Sequence, residues 1–368
     1  MDCSALEARI ANFCHRKFCF LVGHANTGIS LALKVIERLR GYGDVILPTV
    51  VCPSVAQTVR YAGFTPVFAD VTIPNCTIDP DSMASLVGSK TRAIVPVHIF
   101  GHAVQMNPIL EAAEQCGSFV IEDAAQSIGG ITGGWNHGSY GSFSVLSFGT
   151  TKILSAGAGG ALLTDDAEFA GMIREWIHDL PPLLIDTRYR LRALSHRNLC
   201  HGLVDLLRLD QNYSVGPSFQ AVMPLYREQY FHAFPDDPVI LRKLDEELAS
   251  LRDNVSSRVA RARRYRDLLS RLGDSVQLSN AWEDSGVIWR YTLLVREPAK
   301  LLEVTAQLRN NLIHASNHYW SVADLMYDQK SLRNSAYVSP RLLNLWVDEA
   351  ADDEYIERTF QVIDKALA

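Results

Sequence analysis

Val120–Gly130 reads VIEDAAQSIGG, and Phe143–Asp166 reads FSVLSFGTTKILSAGAGGALLTDD. The first stretch is an apolar strand that ends on a carboxylate, Asp123, and turns at once into small residues. A carboxylate at the carboxyl end of a parallel strand stands where α/β folds place ligands. By itself Asp123 also reads as the N-cap of the Ala124-Ala125 turn. The second stretch surrounds one lysine, Lys152, with Thr150, Thr151, Ile153 and Leu154. Desolvation in such a low-charge run lowers an amine's pKa and makes it a nucleophile able to form a Schiff base. Alone, Lys152 reads equally as a surface lysine laying its stem on apolar neighbours. The glycines of Gly157–Gly160 lead into ALLTD, which is strand-like. A dinucleotide fingerprint would lead into a helix, so that reading fails.

Outward from this block the chain alternates short apolar runs with helical periodicity. The spacing predicts a helix over Thr27–Leu39, with Ile29, Leu33, Ile36 and Leu39 on one side, then a strand at Val45–Pro48. A helix over Pro53–Tyr61 and a strand at Pro66–Val71 follow, and then a helix over Ile78–Val87 and a strand at Arg92–Val97. Pro108–Cys116 reads as a helix and Ser118–Ile121 as a strand. This order predicts an α/β fold with a mixed, mostly parallel sheet flanked by helices. Residues 180–236 show no steady periodicity. One long amphipathic helix is expected through Leu241, Leu244, Leu248, Leu251, Val255 and Val259. Arg290–Val295 reads as a strand, and Pro298–Asn310 and Asp352–Ala366 as helices. The expected division is a large domain over 1–235 and a smaller α+β C-terminal domain over 236–368.

The chain has 368 residues, a formal charge of −6, and 48 % hydrophobic against 21 % charged residues. Those values fit about two folded domains and exclude bulk disorder. A mildly acidic balance supplies no electrostatic footprint for nucleic acid or an anionic membrane. The seven cysteines are scattered, odd in number and without a C-x-x-C pair, so reduced thiols in a cytoplasmic protein are expected. The N-terminus carries charges throughout and lacks an apolar signal core. The uncharged run Ala93–Leu110 contains Pro96, His98, Gly101, His102 and Pro108, which a bilayer rejects. His98 and His102 are four apart, but Pro96 and Gly101 break the helix that would pair them on a metal, so no metal is expected. The arginines at 261, 263, 264 and 266 read as a solvated helix face.

A third feature joins the first two. In Gly23–Leu33, GHANTGISLAL, Asn26 and Thr27 read as the cap of a helix whose N–H groups and dipole suit a phosphate. A phosphate-binding helix start, a carboxylate after a strand and a low-charge lysine are together what a pyridoxal 5'-phosphate enzyme needs. The wording resembles the DegT/StrS-type nucleotide-sugar aminotransferases, which have the aspartate aminotransferase (type I) fold. The resemblance runs through Asp44–Val71, Pro96–Leu110, Val120–Gly130 and Phe143–Asp166, and more faintly through Leu241–Leu269 and Ser316–Trp320.

The resemblance implies that Lys152 is the Schiff-base lysine and Asp123 the partner of the pyridine nitrogen. It matches Gln126 to the cofactor's phenolic oxygen, and Ser147 with Asn26 and Thr27 to its phosphate. Cys52 stands where an aromatic ring usually stacks on the pyridine. Ala158 replaces a common glutamate, and Asn26 a threonine. His98 matches a family histidine that reads either as a substrate contact or as a structural residue. His318 and Tyr319 fall where the small domain approaches the site. The family's asparagine motif is not recognisable; MPLYREQY keeps only Tyr226 and Arg227, which become candidates for substrate contact across a homodimer. The implied reaction moves an amino group from glutamate or glutamine to a keto-sugar nucleotide. A dehydratase of the same fold would replace the lysine by histidine, which Lys152 opposes. The alternative is a drifted member, acting on a non-sugar ketone in a biosynthetic pathway or binding the cofactor without turnover.

Overall fold

Runs too apolar for a sheet face in water supply the strands of the N-terminal part: β1 (Phe18–Val22), β2 (Asp44–Pro48), β3 (Thr65–Ala69), β4 (Thr91–Ile94) and β5 (Phe119–Asp123). Two-residue strands β6 (Ile131–Thr132) and β7 (Trp135–Asn136) form a small hairpin before β8 (Phe143–Ser147) and β9 (Gly160–Thr164). In the computed structural model, which describes residues 2–210, 213–222, 231–235, 237–327 and 332–368, they build one sheet of order β1-β9-β8-β5-β4-β2-β3. From β8 to β3 the neighbours are parallel, while β9 runs antiparallel to both β8 and β1. The expected mixed, mostly parallel α/β sheet is present.

Period-two alternation puts the two faces of this sheet into different cores. Val45, Leu47, Ala93 and Ile121 pack with the helices Ala25–Arg40 and Pro53–Tyr61. Ile46, Ile94 and Val120 pack instead with Met83, Met106 and Ile109, from the helices Pro80–Leu86 and Met106–Cys116. A second sheet, β10 (Val276–Leu278), β11 (Arg290–Val295), β13 (Leu342–Trp346) and β12 (Ala315–Ser316), is wholly antiparallel. It shares a core with Tyr265, Leu301 and Ile363, a cluster drawn only from residues 259–366.

Two readings of the sequence need correction. The single long helix is two, Pro238–Ala249 and Leu251–Leu269, separated at Ser250. The Ser250 hydroxyl donates back to the carbonyls of Glu246 and Glu247, the local competition that weakens helices at serine. Within the stretch that lacks periodicity lies a helix over Thr187–Leu209, opened by Asp186, whose carboxylate accepts the Tyr189 N–H. Its buried face carries His196 and Cys200 beside Leu203, Val204 and Leu207, while Leu191, Leu199 and Leu209 are exposed. That inversion hides the helix from hydropathy. Among the described residues no helix is long and apolar enough to cross a membrane.

Candidate functional site

Parallel pairing of Asp123 opposite Val145 makes β5 and β8 end on one edge of the sheet, at Asp123 and Ser147. The antiparallel β9 then brings Gly160 opposite Ser147. A Cβ on Gly160 would stand 2.6 Å from the Ala25 nitrogen and 2.8 Å from the His24 carbonyl carbon, so the helix Ala25–Arg40 begins directly against this corner. Its N-cap is His24, and Asn26 and Thr27 lie inside the first turn, a correction to their reading as the cap. No side chain caps that end and no acidic residue occupies the first turn. The positive end of the dipole therefore faces the strand ends without a local counter-charge. The Tyr189 hydroxyl and His24 Nε2 lie 2.9 Å apart, which ties the helix Thr187–Leu209 to this corner.

Asp123 is buried, and one carboxylate oxygen accepts the Ala125 N–H at 2.9 Å. Burial pushes its carboxyl above the usual range, opposed by that hydrogen bond and by the charge of Lys152. Lys152, half-buried, holds its amine 4.9 Å from the centre of the Trp289 ring. Burial lowers the amine's pKa; Cys52 and Asp123 pull it back up, and Arg290 adds to the fall. Asp123 and Lys152 thus sit within electrostatic reach, each favouring the other's charged form. Trp289 is fixed by its indole N–H, donated to the Thr151 carbonyl, and by its backbone N–H, donated to Phe100 at 2.8 Å.

Gln126 is locked at both ends of its amide. Its oxygen accepts the Phe100 N–H at 2.7 Å, and its nitrogen donates to the Tyr319 hydroxyl at 3.2 Å, leaving one amide hydrogen uncommitted. Cys52 caps the helix Pro53–Tyr61 and contacts the Ser54 hydroxyl at 3.1 Å.

His98 follows the neighbouring strand end, its backbone N–H donated to the Asp123 carbonyl at 3.1 Å. It is fully buried, with Nε2 3.1 Å from a Glu122 oxygen and Nδ1 3.4 Å from the Val104 N–H, and its ring stacks on His137 at 3.8 Å. Of its two readings, this geometry favours the structural one, since both ring nitrogens have partners within the fold. Tyr226 and Arg227 fall outside the described residues.

A cavity of about 770 Å³ opens against Thr151 and Trp289, the neighbours of Lys152. Cys52, Thr151, Trp289, Arg290 and Tyr319 form one part of its lining, His318, Asn344 and Trp346 another, and the helix Thr187–Leu209 a third. The structure therefore brings Cys52, His318 and Tyr319 to one cavity. Sequence reasoning passes over Trp289, Arg290, Asn344 and the whole helical wall. The available signal is Arg290 itself, an arginine in a strand whose six residues are all buried. Its guanidinium lies between the rings of Trp289 and Trp346, at 4.7 and 4.0 Å, and reaches Asp348 at 3.5 Å.

Residues 2–179 and 244–364 match the DegT/DnrJ/EryC1/StrS aminotransferase family. Among curated relatives, a GDP-perosamine synthase of Caulobacter vibrioides is 35 % identical over 169 residues, 46 % of this chain and 45 % of that protein. The spore coat polysaccharide biosynthesis protein SpsC of Bacillus subtilis is 38 % identical over 169 residues, 46 % of this chain and 43 % of its own. The chain thus matches less than half the length of these relatives. The solved structure of Helicobacter pylori PseC, an aminotransferase of pseudoaminic acid biosynthesis, superposes with a TM-score of 0.79 at 15 % identity. It covers 99 % of this chain and 90 % of that one. DesV of S. venezuelae gives 0.76 at 22 % identity over 99 % of this chain and 88 % of its own. Sequence match through the two sheets and common architecture along nearly the whole length agree, and the chain belongs to the DegT/DnrJ/EryC1/StrS aminotransferase family.

Proposed function

We propose that this chain is a pyridoxal-phosphate-dependent aminotransferase that moves an amino group from glutamate or glutamine to the keto group of a nucleotide-linked sugar. The observation that carries the reading is the pairing of a buried carboxylate, Asp123, with a half-buried amine of lowered pKa, Lys152, beside a large cavity. The residues fit the cofactor. A buried carboxylate whose pKa is raised gains from a cationic N–H partner, which a pyridinium offers. The Gly160 contact and the acid-free first turn bring Ser147 to the start of the helix that carries Asn26 and Thr27, an end whose dipole suits a phosphate. When bound, the cofactor supplies an electron sink for cleavage of a Cα–H bond. Asp123 would hold the ring nitrogen protonated, and the remaining amide hydrogen of Gln126 is free for the phenolic oxygen. Lys152 would anchor the aldehyde and, once released, would take the proton from the donor's Cα and return it, a task its lowered pKa favours. Trp289, under that amine, screens it from water.

The reading extends to a homodimer, to a boundary near residue 235, and to the cytoplasm, where seven free cysteines stay reduced. The separate core of residues 259–366 supports a distinct C-terminal unit, while Ile240, Leu244, Leu251 and Val255 beyond that boundary pack into the core of the large sheet. The test is the absorbance of the purified protein with pyridoxal phosphate before and after glutamate or glutamine. A yellow species that bleaches with the donor, and that Lys152→Ala does not form, is expected. A protein that stays colourless refutes the reading.

A further inference from the structure

The cavity is bounded on one side by a wall that the family match does not cover. Ala193, His196, Arg197, Cys200, His201 and Val204 project from one face of the helix Thr187–Leu209, at spacings of three and four. The matched family segments stop at residue 179 and resume at 244, so the sequence of this helix lies outside the family match.

Its electrostatics are one-sided. Arg197, Arg290 and Arg309 line the cavity, and none of the described lining residues is acidic. Arg290 is committed to Asp348 and to its two tryptophans. Arg208, lower on the helix, is spent on the carbonyls of Asn317, Ser339 and Pro340. Arg197 and Arg309 differ: among the described residues neither guanidinium takes part in an ion pair. Both act on His201, which stacks on His318 at 3.9 Å; burial with these charges lowers His201 to about 4, and burial with Arg309 and Arg208 lowers His318 to about 4. Asp205, half-exposed, lines an adjoining pocket with Arg309 and engages His318 Nε2 at 3.4 Å. Asn344, also in the lining, is 1 % exposed, and its amide nitrogen has no partner among the described residues. Two guanidiniums outside any ion pair among the described residues, two neutral imidazoles and an unused amide donor make a site for an oxyanion.

We propose that Arg197 and Arg309 are specificity-determining residues that bind a phosphate or diphosphate group of the acceptor, with Asn344 as an additional donor. This rests on the aminotransferase reading for the word acceptor, but the anion site stands or falls by itself. A simple sugar phosphate and a nucleotide-linked sugar share this chemistry.

The test titrates cofactor-loaded protein, whose helix start is already filled, with inorganic pyrophosphate, uridine diphosphate and succinate. Fluorescence of Trp289 and Trp346 reports on the cavity. Saturable binding of pyrophosphate and uridine diphosphate is expected, weakened at least tenfold in Arg197→Gln and in Arg309→Gln and less in Arg197→Lys. Thermal melts verify folding of each variant, both arginines being exposed. Tighter binding of uridine diphosphate than of pyrophosphate assigns the site to a nucleotide-linked acceptor; equal binding assigns it to a phosphate ester alone. Wild-type affinity in both glutamine variants, or succinate binding as well as pyrophosphate, overturns the proposal. Wild-type protein that ignores glutamate while Arg197→Gln loses pyrophosphate would remove transamination and leave the anion site standing.

Discussion

Gly160→Ala tests whether the close seating of a helix on the strand ends makes the phosphate site. The new methyl would stand 2.6 Å from the Ala25 nitrogen, 2.7 Å from the Leu146 oxygen and 2.8 Å from the His24 carbonyl carbon. All three are backbone atoms, so no side chain can swing aside. Restoring ordinary contact at about 3.5 Å requires the helix start to move out by roughly 1 Å. Overpacking of this kind costs about 1–3 kcal/mol, which lowers Tm by roughly 2–8 °C. The displacement also stretches N–H donors aimed at a phosphate beyond bonding distance. With two such bonds at about 1.5–3 kcal/mol each, affinity falls on the order of 100-fold or more. The assay is titration with pyridoxal phosphate against pyridoxal, which lacks the anion; only the first should weaken by that factor. Gly202→Ala is the control, since nothing lies within 4 Å of its Cβ and it sits inside a helix. That change should leave cofactor affinity alone and stabilise the fold by about 0.5–1 kcal/mol. A Gly160→Ala protein with wild-type affinity for pyridoxal phosphate would refute the reasoning.

Three further outcomes are expected. Asp123 raises the pKa of Lys152, so Asp123→Asn should shift the midpoint of Lys152 acylation in the cofactor-free protein to lower pH, followed by peptide mass spectrometry; an upward shift would contradict the mutual placement. Arg16, its side chain 2 % exposed, donates to the carbonyls of Gly138, Tyr140 and Gly141 and to Asp165 at 2.7 Å, so Arg16→Met should cost about 3 kcal/mol or more by urea unfolding. Leu312 follows the helix Pro298–Asn310 at φ 56° with 84 % exposure, and Leu312→Gly should stabilise by about 1 kcal/mol in the same assay, since a left-handed position after a helix suits glycine.

The α/β order is legible because each strand of the large sheet is buried on both faces and each helix amphipathic. Hydropathy then reports structure directly: Pro53–Tyr61, Arg290–Val295 and Pro298–Asn310 have the bounds read from sequence. Asp123, Lys152, Gln126 and Ser147 are visible as local words. The helix Thr187–Leu209 is not, because it buries polar residues towards a cavity and leaves leucines outside. His24 escapes as the N-cap since its side chain caps nothing. His98 shows the opposite ambiguity. A histidine after a strand suggests a site, yet Glu122 and His137, remote in sequence, absorb it into the interior. What sequence cannot supply at these places is the partner across space.

The contact between Tyr189 and His24 joins two regions that would otherwise respond separately. His24 opens the helix that faces the cofactor corner, and Tyr189 opens the helix that walls the acceptor cavity. A phosphate that fixes His24 also fixes the start of the wall, and an acceptor that settles the wall steadies His24. Thermodynamic reciprocity makes the two gains equal. On the proposed reading the chain would therefore hold its acceptor weakly until loaded, and so would not sequester a substrate it has no means to convert.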